Sequence, residues 1–424
     1  MKKAIALCLS AAICVSAFAG CASKSSSSAS TASSTEKVTI TFWHSMSDTN
    51  GKLTSQLVED FNSAHPNITV EATYAGGYSD AAAKAQQAVY AGNGPDILQI
   101  AQDNIGVFAP KFVDLLPYMK KANIKESDFV QAFIKDAYYN KKLTDIPYGR
   151  SAQVLYINKT LLDSLGLKTP TTWEELKEVS NKCVTKDGNT VTRYGLTMPF
   201  DQWYLFALVQ QDGASFFNSQ KTGLGIISNG VGKECFQYLR DMQSTGALFY
   251  NNSTNDQSKN LFVSGKAAMM MSSSGANGGV KTAVNGKFQF VVSAPVKGKN
   301  YSMPTGGCGM GILSSSKHQA QAWEFFKWYI QDKKGGLAFV LGSGYLPFTK
   351  QMQQSTEIQE LWKSDPNTKI AYEALQYGDD RYRIAKLQPV IAEFRTCIQA
   401  ILIDNKDIDT SLKTFSNSVD TILK

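Results

Sequence analysis

Short strand-like runs separated by helix-period segments open the globular part of this chain, and that order dictates a sheet with helices on its faces. Residues 38–43 (VTITFW) alternate β-branched and polar side chains and predict a strand. Leu53, Leu57, Val58 and Phe61 then recur at helical spacing, with Asn50 as the expected cap and His65-Pro66 as the stop. Residues 68–74 predict a second strand, 78–91 a second helix and 96–101 a buried third strand. Strands that alternate with helices pair in parallel, because a helical crossover returns the chain to the same end of the sheet.

Further along, residues 145–158 (DIPYGRSAQVLYIN) read as an extended crossing that ends in a strong strand. Thr172 and Glu175 have capping-box spacing at the head of a helix. Helices are expected over 231–245, 260–265, 319–331, 336–341, 351–362, 390–402 and 408–423, and strands over 266–274, 289–295 and 309–313. A globular part running from residue 37 to 424 is too long for one hydrophobic core, so two lobes are expected.

The first residues set the expected compartment. Lys2 and Lys3 precede an apolar stretch closed by Ala19-Gly20-Cys21, the layout of a secretory signal peptide over 1–20. The small-small-Cys ending resembles the bacterial lipobox, which implies an acylated Cys21 as the mature N-terminus; Phe18 departs from the usual Leu. A plain cleaved signal with an incidental cysteine is the alternative. From 22 to 36 the chain is nearly all Ser, Ala and Thr, too polar to order itself, and 21–36 is expected to be a flexible tether. The expected location is therefore extracytoplasmic, lipid-anchored to the outer face of the cell membrane.

Composition narrows the function classes. The formal charge is +7, two units of which belong to Lys2 and Lys3, and the other Lys and Arg residues are dispersed, so no nucleic-acid partner is expected. Cys183, Cys235, Cys308 and Cys397 stand singly, without metal-ligand spacing, and are expected to be mostly free, buried thiols. His44, His65 and His318 are the only histidines. There is no Gly-x-Ser-x-Gly elbow, phosphate-binding Gly loop or His-Glu-x-x-His helix, so neither a catalytic residue, a metal nor a cofactor is expected.

Six segments, in order along the chain, resemble the extracellular solute-binding proteins (family 1) of ABC importers, in the branch of glycerol-3-phosphate and sugar binders. They are TFWHSM from Thr41, AGNGPDILQ from Ala91, VLYINK from Val154, TTWEEL from Thr171, TGG from Thr305 and SGYLP from Ser343. The resemblance implies an α/β, two-lobed periplasmic-binding-protein fold (type II, maltose-binding-protein-like) with a hinge and an interlobe ligand cleft. It further implies 37–150 and 273–314 as lobe 1, and 151–272 and 315–424 as lobe 2.

Carbohydrate-like solutes need aromatic faces against their C–H surfaces and aimed donors and acceptors for their hydroxyls. Trp43 fits either the cleft lip or the core, and His44 beside it fits a hydrogen-bonding or structural role. Tyr78, after Gly76-Gly77, matches a ligand-contacting Tyr of the family. Gln102 stands where the glycerol-3-phosphate binders carry Glu, with Asp103 able to take the acidic role. Ser151 and Ser273 match ligand-binding serines at two crossings, Gly307 a glycine whose backbone meets ligand, and Tyr345 a further site residue. Trp203 and Tyr204 supply stacking from the second lobe, or core packing. The family's phosphate-pairing Arg falls at Pro389, and Arg381 or Arg383 could substitute. That departure favours an uncharged sugar or oligosaccharide over glycerol-3-phosphate or a glycerophosphodiester. A monomer that docks on permease subunits is the expected assembly; a surface adhesin and a secreted glycoside-active enzyme are the rival classes.

Overall fold

β-Branched alternation becomes sheet where it was expected. The computed structural model describes residues 37–424 except Asp380, Arg381 and Arg383; the signal segment, Cys21 and the tether to residue 36 lie outside the described residues. Strand Val38–His44 runs parallel to Ile68–Tyr74 in unbroken register, Val38 opposite Ile68 and His44 opposite Tyr74. On its other side Phe42 pairs with Ile97. Gly306–Ile312 then lies between Ile97–Ala101 and Ile146–Ser151, antiparallel to both, completing a five-stranded sheet. Phe325 of helix Gln319–Gln331 packs on this sheet, its ring 5.7 Å from that of Phe42 and 5.1 Å from that of Phe61.

A second sheet is ordered Leu248–Phe249, Thr190–Thr197, Ala267–Ser273, Gln153–Asn158, Phe290–Ser293. Its central strand is apolar on both faces, as a doubly covered strand must be. Val154 and Tyr156 point into one core with Met270 and Val292, while Leu155 and Ile157 point into the other with Met269 and Met271. Helix Pro366–Glu373 covers the first of these faces, where Val292 N donates to Asn367 Oδ1 at 2.8 Å. Behind the second face, rings of Phe206, Phe216, Phe394 and Phe415 pack with neighbouring centroids 4.8–5.6 Å apart.

This pairing divides the chain differently from the expected lobe boundaries. Strand Phe290–Ser293 belongs to the second sheet, although 273–314 was assigned to the first lobe. Helix Gln319–Gln331 sits on the first sheet, although 315–424 was assigned to the second. The apolar stripe around Phe325 finds its complement in Phe42 and Phe61, and packing of that stripe decides where the helix goes.

Local signals were followed with small shifts. Helix Asp48–Ala64 starts before Asn50, which therefore lies inside the first turn and is not its cap. Thr172 Oγ1 does accept from Glu175 N at 3.2 Å, but the Glu175 carboxylate reaches Thr171 N and Oγ1, each at 2.7 Å, one residue beyond the capping-box partner. The helix expected over 260–265 is Asn255–Val263, begun by a capping box of Thr254 and Gln257. Strand Thr190–Thr197 and helix Gln202–Gln211 had not been expected. Every residue of that helix is buried, so it carries no polar face for a periodicity to reveal. Cys183, Cys235, Cys308 and Cys397 are free and buried, and burial pushes the Cys183 thiol up to about 11 and those of Cys235 and Cys397 to about 12.

Candidate binding cleft

The chain crosses from the first sheet to the second between Ser151 and Gln153, and back again before Gly306. Side chains at these crossings enclose a cavity of about 430 Å³. Gly307 has φ +89°, in the left-handed region, and lies so close to the neighbouring strand that a Cβ would sit 1.9 Å from the Gly149 carbonyl oxygen. At this tight, bulged pairing Ser151 and Gly307 both line the gap, Ser151 while only 1% exposed. Gly306 beside it is covered by Trp203, whose ring carbons would lie 2.5 Å from an added Cβ.

Aromatic rings form much of the wall. Trp203 and Tyr204 start helix Gln202–Gln211, their rings 5.4 Å apart, and Trp203 Nε1 donates to the Pro304 carbonyl at 2.8 Å. Tyr345 is wedged between two backbones: a Cβ at Gly149 would meet its ring at 3.0 Å and one at Gly275 at 3.2 Å. Phe339 stacks behind it, 5.8 Å away and tilted by 16°. Tyr78 lies beside Tyr345 and the Cys308 thiol, near enough for the three groups to interact electrostatically. Tyr78 as a whole residue is 36% exposed, and desolvation of the phenols raises both Tyr78 and Tyr345 well above the usual tyrosine range. They therefore act as neutral hydroxyls.

Polar groups complete the lining. Ser273 Oγ accepts from Gly275 N at 3.1 Å, leaving its proton for another acceptor. Asp103 Oδ2 accepts from Gln202 Nε2 at 3.1 Å. Asp48, Asp201 and Asp256 add carboxylates, and Lys259 and Arg395 add cations. Lys259 pairs with Asp256 at 2.7 Å.

Of the residues singled out in the sequence, the structure brings Tyr78, Asp103, Ser151, Trp203, Tyr204, Ser273, Gly307 and Tyr345 to this one cavity. Trp43, His44 and Gln102 are not part of the lining. Strand parity explains Trp43: Phe42 and His44 face one side, and Trp43 faces the other, against the Leu98, Ile100, Phe108 and Phe112 cluster. Gln102 is 1% exposed, with no hydrogen-bond partner for its amide among the described residues; its neighbours Asp103 and Asn104 take the cavity positions. Arg381 lies outside the described residues. Arg395 and Gln388 had been missed. With Ile391 they occupy one face of helix Leu387–Leu402 at i, i+3 and i+7, but Glu393, Thr396 and Gln399 are polar too, so nothing in the sequence of that helix singles the two out.

His44 is buried, and its Nδ1 accepts from Met46 N at 3.2 Å, which requires the neutral ring. Burial lowers its pKa to about 4 from 6.5. Between these values the unfolded chain binds a proton that the folded chain does not. Stability present above pH 6.5 is therefore lost as pH falls towards 4, by about 2–3 kcal/mol. Urea unfolding at pH 7 and pH 4.5 should show that loss, and it should shrink in His44→Asn, whose Oδ1 can take the Met46 bond.

Two α/β bodies meeting at an aromatic-walled, polar gap define a cleft-type binding protein. The chain belongs to the bacterial extracellular solute-binding proteins, whose family model matches residues 56–369. It is 25% identical over 353 residues to the sn-glycerol-3-phosphate-binding periplasmic protein UgpB of Brucella melitensis, covering 77% of this chain and 78% of that one. The maltotriose-binding protein of Pyrococcus abyssi is 23% identical over 390 residues, 90% of this chain and 81% of its own. UgpB from Mycobacterium tuberculosis, solved with glycerophosphocholine, matches with a TM-score of 0.81 at 18% identity, over 91% of this chain and 98% of that one. The fold is thus the two-lobed, maltose-binding-protein-like one.

Proposed function

We propose that this chain is the substrate-binding lipoprotein of an ABC importer, holding a sugar or oligosaccharide in the interlobe cleft and delivering it to the permease. The observation that carries the reading is the pairing of neutral aromatic walls (Trp203, Tyr204, Tyr78, Tyr345) with Ser151, Ser273 and Asp103 around one gap between the lobes. Rings cover sugar C–H faces, and hydroxyls and a carboxylate take sugar hydroxyls. Solute that touches both lobes stabilises the closed form by its differential affinity, and the closed surface is the one offered to the permease. Acylation of Cys21 and the tether over 21–36 would hold the monomeric domain at the outer face of the membrane.

A glycerophospho-compound is the second reading, favoured by the presence of Arg395 and Lys259 in the lining. Against it, among the described residues four carboxylates (Asp48, Asp103, Asp201, Asp256) line the cavity with those two cations, an excess of negative charge that disfavours a phosphate dianion. A thermal-shift screen across mono- and oligosaccharides, glycerol 3-phosphate and glycerophosphodiesters separates the two, because only a bound solute raises Tm. Turnover of a chromogenic glycoside would point to an enzyme, and silence across the whole panel would sink solute binding. For the solute so found, Tyr345→Ala should weaken binding by roughly 1–3 kcal/mol through lost stacking and burial. Tyr345→Phe, which keeps the ring and loses only the hydroxyl, should cost about 1 kcal/mol. Calorimetric titration measures both, and unchanged affinity in a folded Tyr345→Ala protein removes that ring from the site.

A further inference from the structure

We infer that the contact around Asp103 is a clasp that holds the two lobes together before any solute arrives, so that the gap opens between the lining segments that no hydrogen bond joins; this rests on the hinged binding reading above. Asp103 follows strand Ile97–Ala101 of the first sheet. Its Oδ2 accepts from Gln202 Nε2 at 3.1 Å, and its backbone oxygen accepts from Gln388 Nε2 at 3.0 Å. Both glutamines belong to helices of the second core. Gln202 is itself oriented: Arg395 Nη1 donates to its Oε1 at 3.2 Å and to the Phe200 carbonyl at 3.2 Å, with the guanidinium 4.4 Å above the Phe200 ring. The amide is thereby turned to present its N–H to Asp103.

The backbones close up at the same contact. Gly106 lies so near Ile384 that a Cβ would stand 2.4 Å from the Ile384 carbonyl oxygen, although Gly106 does not have a positive φ. Interlobe approach, and not turn geometry, is what requires a glycine there. Residues 47–50 of the first lobe and Asn255, Asp256 and Lys259 of the second also line the cavity, and among the described residues no hydrogen bond joins these two segments. The clasp needs no solute in any of its contacts. It raises the fraction of closed molecules at rest, and apparent affinity scales with that fraction.

The test compares full-length protein carrying spin labels at Lys52→Cys and Asn260→Cys, exposed positions close in sequence to those two lining segments. Pulsed dipolar distances without solute should be mostly short in the parent. They should lengthen in Gly106→Ala, which wedges the clasp from outside the cavity, and in Gln388→Ala, which removes one of its bonds. Each variant should bind maltotriose, the probe, about 3- to 10-fold more weakly. A solute-free parent as open as Gly106→Ala, or variants that stay as closed as the parent, overturns the clasp. Circular dichroism checks folding, and Gln388→Ala alone decides if Gly106→Ala does not fold. If no solute changes any distance the binding reading fails, while the solute-free comparison still judges the clasp.

Discussion

Alanine in place of Trp203 should lower the unfolding free energy by roughly 3–5 kcal/mol, the range for deleting a large aromatic side chain from a packed interior. Trp203 is only 6% exposed, although it lines the cleft. Its ring lies over Gly306, where no side chain competes for the space. Its Nε1 satisfies the Pro304 carbonyl at 2.8 Å, in the segment that returns to the first sheet. Truncation therefore empties a volume and strips an acceptor at a crossing at once. Trp203→Phe would keep most of the ring and lose the donor, so its cost should be smaller, about 1–3 kcal/mol. Urea denaturation of both variants measures the difference. A Trp203→Ala protein within about 1 kcal/mol of the parent would show that the ring contributes little to the fold.

Gly307→Ala should be nearly as damaging, at about 2–5 kcal/mol, for a backbone reason. Holding a non-glycine residue at φ +89° costs roughly 1–2 kcal/mol. The new methyl would sit 1.9 Å from the Gly149 carbonyl, so strands Gly306–Ile312 and Ile146–Ser151 must part at the bulge, with overpacking strain of about 1–3 kcal/mol. Gly149 also forms one side of the Tyr345 slot, so the variant should lose solute affinity together with stability. The comparison is Gly279→Ala, where nothing lies within 4 Å of the added Cβ and the effect should stay within about 0.5 kcal/mol. Equal stabilities for the two variants would refute the strain argument.

Residues 38–44 and 68–74 were legible because their alternation reports a strand directly, and helices Val231–Thr245, Gln319–Gln331 and Ile408–Leu423 because each shows one apolar stripe. Helix Gln202–Gln211 was not, since burial all round erases the stripe. The strand Gly306–Ile312 (GGCGMGI) has almost no β-branched residue; close backbone approach to its neighbours, not propensity, selects its glycines. At the cleft, Tyr78, Ser273 and Tyr345, picked out beside glycines and by the family resemblance, do line the cavity. Facing was not readable. Trp43 and His44 are neighbours on one strand with opposite outlooks, and a period of two cannot say which side meets the gap. The partnership of Asp103 with Gln202 and Gln388 joins residues 99 and 285 positions apart, beyond the reach of local pattern.

Because Gly306–Ile312 slots into the middle of the first sheet, the N-terminal strands cannot finish that sheet by themselves as the chain is synthesised. A chain made only as far as residue 300 would carry Ile97–Ala101 and Ile146–Ser151 as two raw edges, each lacking the strand that belongs between them. Completion of the first lobe must wait until nearly three-quarters of the polypeptide exists, so the two lobes mature together instead of one after the other.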